Sequence, residues 1–138
     1  MTERGVYQNP NRWKQLIRFD GIKYENITPT DFDGVIEYQD RIWVLFEAKL
    51  AWKEVPYGQK LALARFVADA GKSGKCAIAM IVDHYSENPA DDIILRNCYV
   101  REIITTENLM WRPPKWRITA KEMADAYIIH NMNNAMEA

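Results

Sequence analysis

The chain has little of what several large protein classes require. It holds two cysteines and two histidines in 138 residues. Cys76 and Cys98 stand too far apart for a paired-cysteine zinc motif, and a disulfide framework needs more of them. They are expected to be reduced thiols in the core. His84 and His130 lack the spacing of a zinc pair. His84 closes an apolar run and His130 lies in the last helical segment, where packing or surface roles suit them. No apolar run approaches the roughly 20 residues of a membrane span, so no membrane association is expected. The opening residues, MTERGVY, carry no apolar leader stretch, and a cytoplasmic location is expected. Charge of one sign is also lacking: the formal net charge is −1. This argues against coating nucleic acid by bulk attraction, but not against a site in which acidic side chains hold a cation.

What is present is a hydrophobic fraction of 48% with 27% charged residues, the make-up of an ordinary globular chain. At this length it reads as a single domain, 1–138, with no repeat, low-complexity tract or linker. Residues 10–19, PNRWKQLIRF, read as a short helix with Asn11 as cap. Residues 33–39 and 41–48 are rich in β-branched and aromatic side chains and read as a pair of strands. Residues 58–70 form the clearest helix, stopped by Gly71 and Gly74. The apolar run 76–83, CAIAMIVD, reads as a buried central strand. Strands are expected over 97–104 and 111–118, the second kept at an edge by Pro113 and Pro114. Thr119-Ala-Lys-Glu122 is a capping box that opens a C-terminal helix to about 133. The order predicts a mixed α/β layered fold.

The chemistry concentrates in Asp33 and in Glu47-Ala48-Lys49. Alternate side chains of a strand share a face, so Glu47 and Lys49 project together. A three-residue turn centred on Asp40 places residues whose numbers sum to 80 opposite each other. Asp33 then faces Glu47, Val35 faces Leu45, Ile36 faces Val44 and Tyr38 faces Ile42. Opposed Cβ atoms lie about 4.5–5.5 Å apart, within reach of one shared cation. A two-residue turn shifts the register by one and turns Asp33 away. This favours Asp33 as the first ligand, with Asp31 competing for the same position. Mg²⁺ or Mn²⁺ on Asp33, Glu47 and the Ala48 carbonyl would activate water and neutralise phosphate charge. Lys49 would orient the water or stabilise the transition state; a lysine acts as a base only with its pKa depressed.

The run Pro29-Thr-Asp-Phe-Asp33-Gly34, followed by Phe46-Glu-Ala-Lys49 and a helix opening Gly58-Gln-Lys60, resembles the PD-(D/E)XK nuclease superfamily. It is most similar to small stand-alone nucleases of bacteriophage genomes. The resemblance implies a restriction-endonuclease-like αβββαβ core, with a mixed central sheet flanked by helices and a C-terminal helix added. It implies Asp33, Glu47 and Lys49 as catalytic residues, Gln59 as a helix glutamine that positions the lysine or the substrate, and Mg²⁺ or Mn²⁺ as cofactor. The implied partner is DNA, and the location is the host cytoplasm if the chain is phage-encoded. Trp52, Lys53 and Lys60 are candidate DNA contacts, Trp52 as a stacking ring and the lysines on phosphates. Leu63 replaces the tyrosine that one large branch carries four residues after the glutamine.

A chain this short has no separate recognition domain, which favours structure-selective cutting of branched or single-stranded regions. A resolvase of branched DNA would act as a homodimer, because two opposed nicks need two sites. Residues 111–116 and the last helix are candidates for such a surface. The alternative is a nuclease-fold protein that binds DNA or a protein partner without cutting. An Asp-x-Asp sugar-nucleotide site at Asp31–Asp33 leaves Lys49 unexplained. Gly71-Lys72-Ser73 lacks the earlier glycine and the preceding strand of a phosphate-binding loop.

Overall fold

A computed structural model describes residues 18–137 of the chain, with side chains described through residue 134. The chain divides into two compact units, Met1–Thr30 and Asp31–Ala138. Of the first, the described part carries one isolated bridge between Tyr24 and Ile27. The expected helix over 10–19 falls outside the described residues as far as residue 17, and residues 18 and 19 are not helical.

The second unit is a mixed α/β layer structure. Its elements run β1 Gly34–Tyr38, β2 Ile42–Leu50, α1 Tyr57–Lys72, β3 Cys76–His84, a short 3-10 turn Leu95–Asn97, β4 Tyr99–Thr105, β5 Asn108–Arg112 and α2 Ala120–Glu137. The five strands form one open sheet in the order β1-β2-β3-β4-β5. Only β2 and β3 are parallel; the other neighbours are antiparallel. A parallel pair needs a crossover, and α1 supplies it. Two strands precede α1 in the described residues, where an αβββαβ order calls for three. Gly21 and Glu25 turn the backbone at φ 81° and 59°, and Pro29 lacks a donor, so no third strand is sustained there.

The hairpin register is the one the turn argument predicts. Val35 pairs with Leu45, Ile36 with Val44 and Tyr38 with Ile42. Residues 39–41 make the turn, with Gln39 and Asp40 at φ 52° and 60° and Arg41 N–H bonded to the Tyr38 carbonyl at 3.0 Å. Asp40 tolerates this left-handed backbone better than most residues, and Lys75 holds its carboxylate in place.

Strand alternation sorts the core into two layers. Odd positions of β2 and β3 meet α1: Leu45, Ala77 and Ala79 pack with Leu63, Val67 and Ala70, and Trp43 sets its ring edge-on to Phe66 at 5.3 Å. Even positions, among them Ile42, Val44, Phe46, Ile78, Met80 and Val82, pack on Ala120, Ala124 and Tyr127 of α2. β3 is covered on both faces, which is why it reads as an unbroken apolar run. Cys76 and Cys98 are free thiols, as expected, and burial raises the pKa of each.

The last strand differs from the expected span 111–118. It begins at Asn108, straight after a turn closed by Asn108 N–H on Thr105 Oγ1 at 3.1 Å, and ends at Arg112, before the two prolines. A proline has no N–H for the ladder, so the pair terminates the strand instead of lying within it. Residues 118–120 then rejoin β4 through Val100 N–H on Ile118 O and Ala120 N–H on Cys98 O, at 2.9 and 2.8 Å. The capping box is formed as expected, with Thr119 and Glu122 exchanging bonds at 3.1 and 3.2 Å. Among the described residues no helix is long and apolar enough to cross a membrane.

Candidate active site

β1 begins at Gly34, whose partner is Phe46. β2 continues for four residues past that pairing, so Glu47 to Leu50 has β3 on one side and no strand on the other. Asp33 does not extend the ladder to meet Glu47 as a strand pair. It bends out of β1, and its Oδ2 accepts the Ala48 N–H at 2.8 Å. The N–H and C=O of one residue in an extended strand point to the same side. The Ala48 carbonyl is therefore turned towards Asp33 as well.

Glu47 and Lys49 stand on the α1 face. Glu47 is only 3% exposed. Its Oε1 lies 3.4 Å from Lys49 Nζ, and its Oε2 is buried with no hydrogen-bond partner. Burial pushes the Glu47 carboxyl above its ordinary value and the charge of Asp33 pushes it further, while Lys49 and Gln59 pull the other way. The charge of Asp33 thus reaches Glu47 although the two do not pair in the ladder.

Gln59, in the first turn of α1, sits beside this pair. Its Nε2 donates to the Asp31 carbonyl at 3.3 Å, tying the helix start to the segment that carries Asp33. Its Oε1 is buried without a partner. The side chain of Asp31 is not part of the cluster; its backbone is.

The remaining candidates separate. Lys60 bonds Glu102 of β4 at 3.0 Å and lies 5.1 Å from the centre of the Trp111 ring. Trp52 and Lys53 are exposed in the turn that follows β2. His84 is half-buried at the end of β3, its Nδ1 without a partner. His130 lies exposed on α2, beside Asn134. Trp43 and Trp111 are part of the core beneath α1, Trp116 is exposed, and Trp13 lies outside the described residues.

Arg101 and Asp83 are the site-adjacent residues that sequence reasoning missed. Asp83 neighbours Lys49 across the β2–β3 ladder and binds Arg101 Nε at 2.7 Å. Arg101 sits where the β3–β4 register slips by one residue between Ile81 and Val82. No local sequence pattern announces such a bulge.

A hard divalent cation suits part of this arrangement. Two carboxylates, one with a buried oxygen that nothing satisfies, and a backbone carbonyl are hard oxygen donors, with the rest of an octahedron left to water. Among the described residues no group of three or more His, Cys, Asp or Glu side chains is gathered for a metal ion. Any ion here rests on the two acids and the backbone.

No protein-family model matches the chain, and no curated protein and no solved structure is significantly similar to it. Fold and site together define a mixed α/β protein with an open five-stranded sheet. At the carboxyl end of its parallel strand pair it carries a buried glutamate, a second carboxylate and a lysine.

Proposed function

We propose that the protein is a metal-dependent nuclease of the restriction-endonuclease-like, PD-(D/E)XK kind, hydrolysing phosphodiester bonds in DNA. The observation that carries this reading is Glu47: a buried carboxylate with one unsatisfied oxygen, an acid beside it and a lysine 3.4 Å away. Leaving a buried charged oxygen unpaired costs several kcal/mol in general, which a bound cation removes. Asp33, Glu47 and the Ala48 carbonyl would hold Mg²⁺ or Mn²⁺. When bound, the ion supplies a Lewis acid for the phosphoryl oxygen and lowers the pKa of water.

The protein's own groups do the rest. The Ala48 N–H fixes Asp33, so the first carboxylate is placed by backbone, not by a flexible side chain. The walls of β2, β3 and α1 keep bulk water from Glu47, which strengthens its pull on a cation. Lys49 presents an ammonium on the same face, where it can hydrogen-bond the attacking water or the negative charge that grows on the phosphate. Gln59 holds the Asp31–Asp33 segment against the helix start. The ββαβ order around the carboxylates, with β3 parallel to β2, also supports the assignment.

The test is incubation of the purified protein with single-stranded, duplex and branched DNA, in Mg²⁺ and in EDTA, beside Glu47→Ala and Lys49→Ala variants. Metal-dependent cleavage lost in both variants is expected. Binding of DNA with no cleavage of any substrate, or cleavage undiminished in the variants, contradicts the proposal.

A further inference from the structure

The connection between β2 and α1 begins two residues after Lys49, and its first half is tightly held. Arg101 donates from Nη1 to the Lys53 carbonyl at 2.7 Å and from Nη2 to the Leu50 and Ala51 carbonyls at 3.1 and 3.2 Å. Its Nε is on Asp83. Ala51 N–H donates to the His84 carbonyl at 2.9 Å, and Lys53 N–H to the Leu50 carbonyl at 2.8 Å closes the turn. A guanidinium is a rigid planar fork of donors, so bonds to three carbonyls of one turn specify its backbone.

At the tip of this held turn Trp52 is 60% exposed. Two other large aromatics lie exposed nearby in the chain path. Tyr57 opens α1, and Tyr85 follows His84, whose carbonyl receives Ala51. The core on the α1 face is filled without them, by Phe32, Trp43, Phe66 and Trp111. Charge around the turn is uneven. Lys53 follows Trp52 in the chain and is itself followed by Glu54, while Lys49 is paired with Glu47; the cleft of ≈ 370 Å³ beside Leu50 and His84 is lined by Glu87 and Asp91. A polyanion is repelled from the acidic cleft, which leaves the Trp52–Lys53 side of the turn to receive it. A flat exposed ring next to an exposed lysine, on a backbone ordered in advance, matches a base and its neighbouring phosphate. Little conformational entropy is lost when a ligand stacks there. Bases in a duplex already stack on their neighbours, so only an unpaired base has a face to offer.

We infer that the Arg101-held turn Leu50–Lys53 is a preformed stacking platform for an unpaired base of single-stranded DNA, with Trp52 as the ring and Lys53 beside the backbone phosphate. This deepens the nuclease reading, on which it rests for the position of the cleaved phosphate. It makes strandedness a property of the β2–α1 turn, and Arg101 a positioning residue.

The experiment is fluorescence anisotropy of a fluorescein-labelled twelve-nucleotide oligo-dT in EDTA, where metal-dependent cleavage is blocked. Trp52→Ala is expected to weaken binding roughly ten-fold, and Trp52→Phe to restore most of it. Arg101→Lys keeps the charge but cannot span three carbonyls, and is expected to weaken binding in the same direction. Trp116→Ala, which removes another exposed tryptophan outside the turn, is expected to bind as the unaltered protein does. Trp52 is exposed, so its replacement leaves folding intact and carries the decision. Undiminished oligo-dT binding by Trp52→Ala, or no binding by the unaltered protein at low salt, overturns the platform. Trp52-dependent binding by a protein that cleaves no DNA in Mg²⁺ upholds the platform and overturns the nuclease. Cleavage by a protein whose Trp52→Ala variant binds normally does the reverse.

Discussion

Asp33 is held by the backbone of Ala48: its Oδ2 accepts the Ala48 N–H at 2.8 Å, beyond the last pair of the β1–β2 ladder. The bond does what a further strand pair would do. It closes the open side of β2 and brings the first carboxylate next to the one buried at Glu47. Asparagine can accept the same bond without the charge. Asp33→Asn is therefore expected to keep its unfolding midpoint within a few degrees while losing metal-dependent cleavage. Asp33→Ala is expected to lose about 1.5–3 kcal/mol as well, the worth of a hydrogen bond to a charged group. Thermal unfolding and a cleavage assay on the same preparations separate the two effects.

Lys49→Ala is expected to slow cleavage by roughly 10²–10⁴-fold with little change in DNA affinity, the range of a positioned proton donor or acceptor. Single-turnover rates at saturating protein measure it. A change confined to affinity would make Lys49 a binding residue only.

The Glu47 carboxyl is held above its ordinary value of 4.5 by burial and by Asp33. Below that value the folded and unfolded chains are both protonated and no penalty exists. As pH rises through the raised folded value, the native state gives up its proton against burial, and stability falls. In EDTA at neutral pH, Glu47→Gln is accordingly expected to be more stable than the unaltered protein, and near pH 4 the difference is expected to vanish. Urea denaturation across that range checks the sign.

Divalent cation is expected to reverse this loss. A ligand at a hundred times its Kd stabilises by about 2.7 kcal/mol, so Mg²⁺ or Mn²⁺ is expected to raise the unfolding midpoint of the unaltered protein and not that of Glu47→Ala. Equal shifts in both would place the ion elsewhere.

Thr119→Ala removes the hydroxyl that receives the Glu122 N–H at 3.2 Å, with an expected cost of about 1 kcal/mol. The Thr119 side chain bonds only Glu122 and touches none of Asp33, Glu47, Lys49 or Gln59, so cleavage per folded molecule is expected to hold. Denaturation curves and specific activity together check this.

That capping box was legible because its partners are three residues apart and its chemistry is local. The hairpin register was legible for a related reason. Period-two alternation and a short turn leave one pairing that sets apolar opposite apolar, and Val35–Leu45 and Ile36–Val44 are that pairing. The span of β5 was not legible, because where a strand starts depends on the turn before it. There, Thr105 captures the Asn108 amide. Lys60 read as a candidate phosphate contact on the first turn of α1; its partners, Glu102 and Trp111, are more than forty residues away in sequence and reach it only through the sheet.

The sequence by itself determined that the first two strands pair, which run is buried, and that Glu47 and Lys49 share a face, because these follow from side-chain period and turn length. Only the tertiary structure decided that Asp33 leaves the ladder to take an amide of β2. Only it decided that Gln59 braces the Asp31 backbone, and that Arg101 gathers three carbonyls of the turn after Lys49. Those bonds join residues far apart in the chain. Distance in sequence carries no local signal, and sheet order, a crossover helix and one bulge had to be in place before the groups could meet.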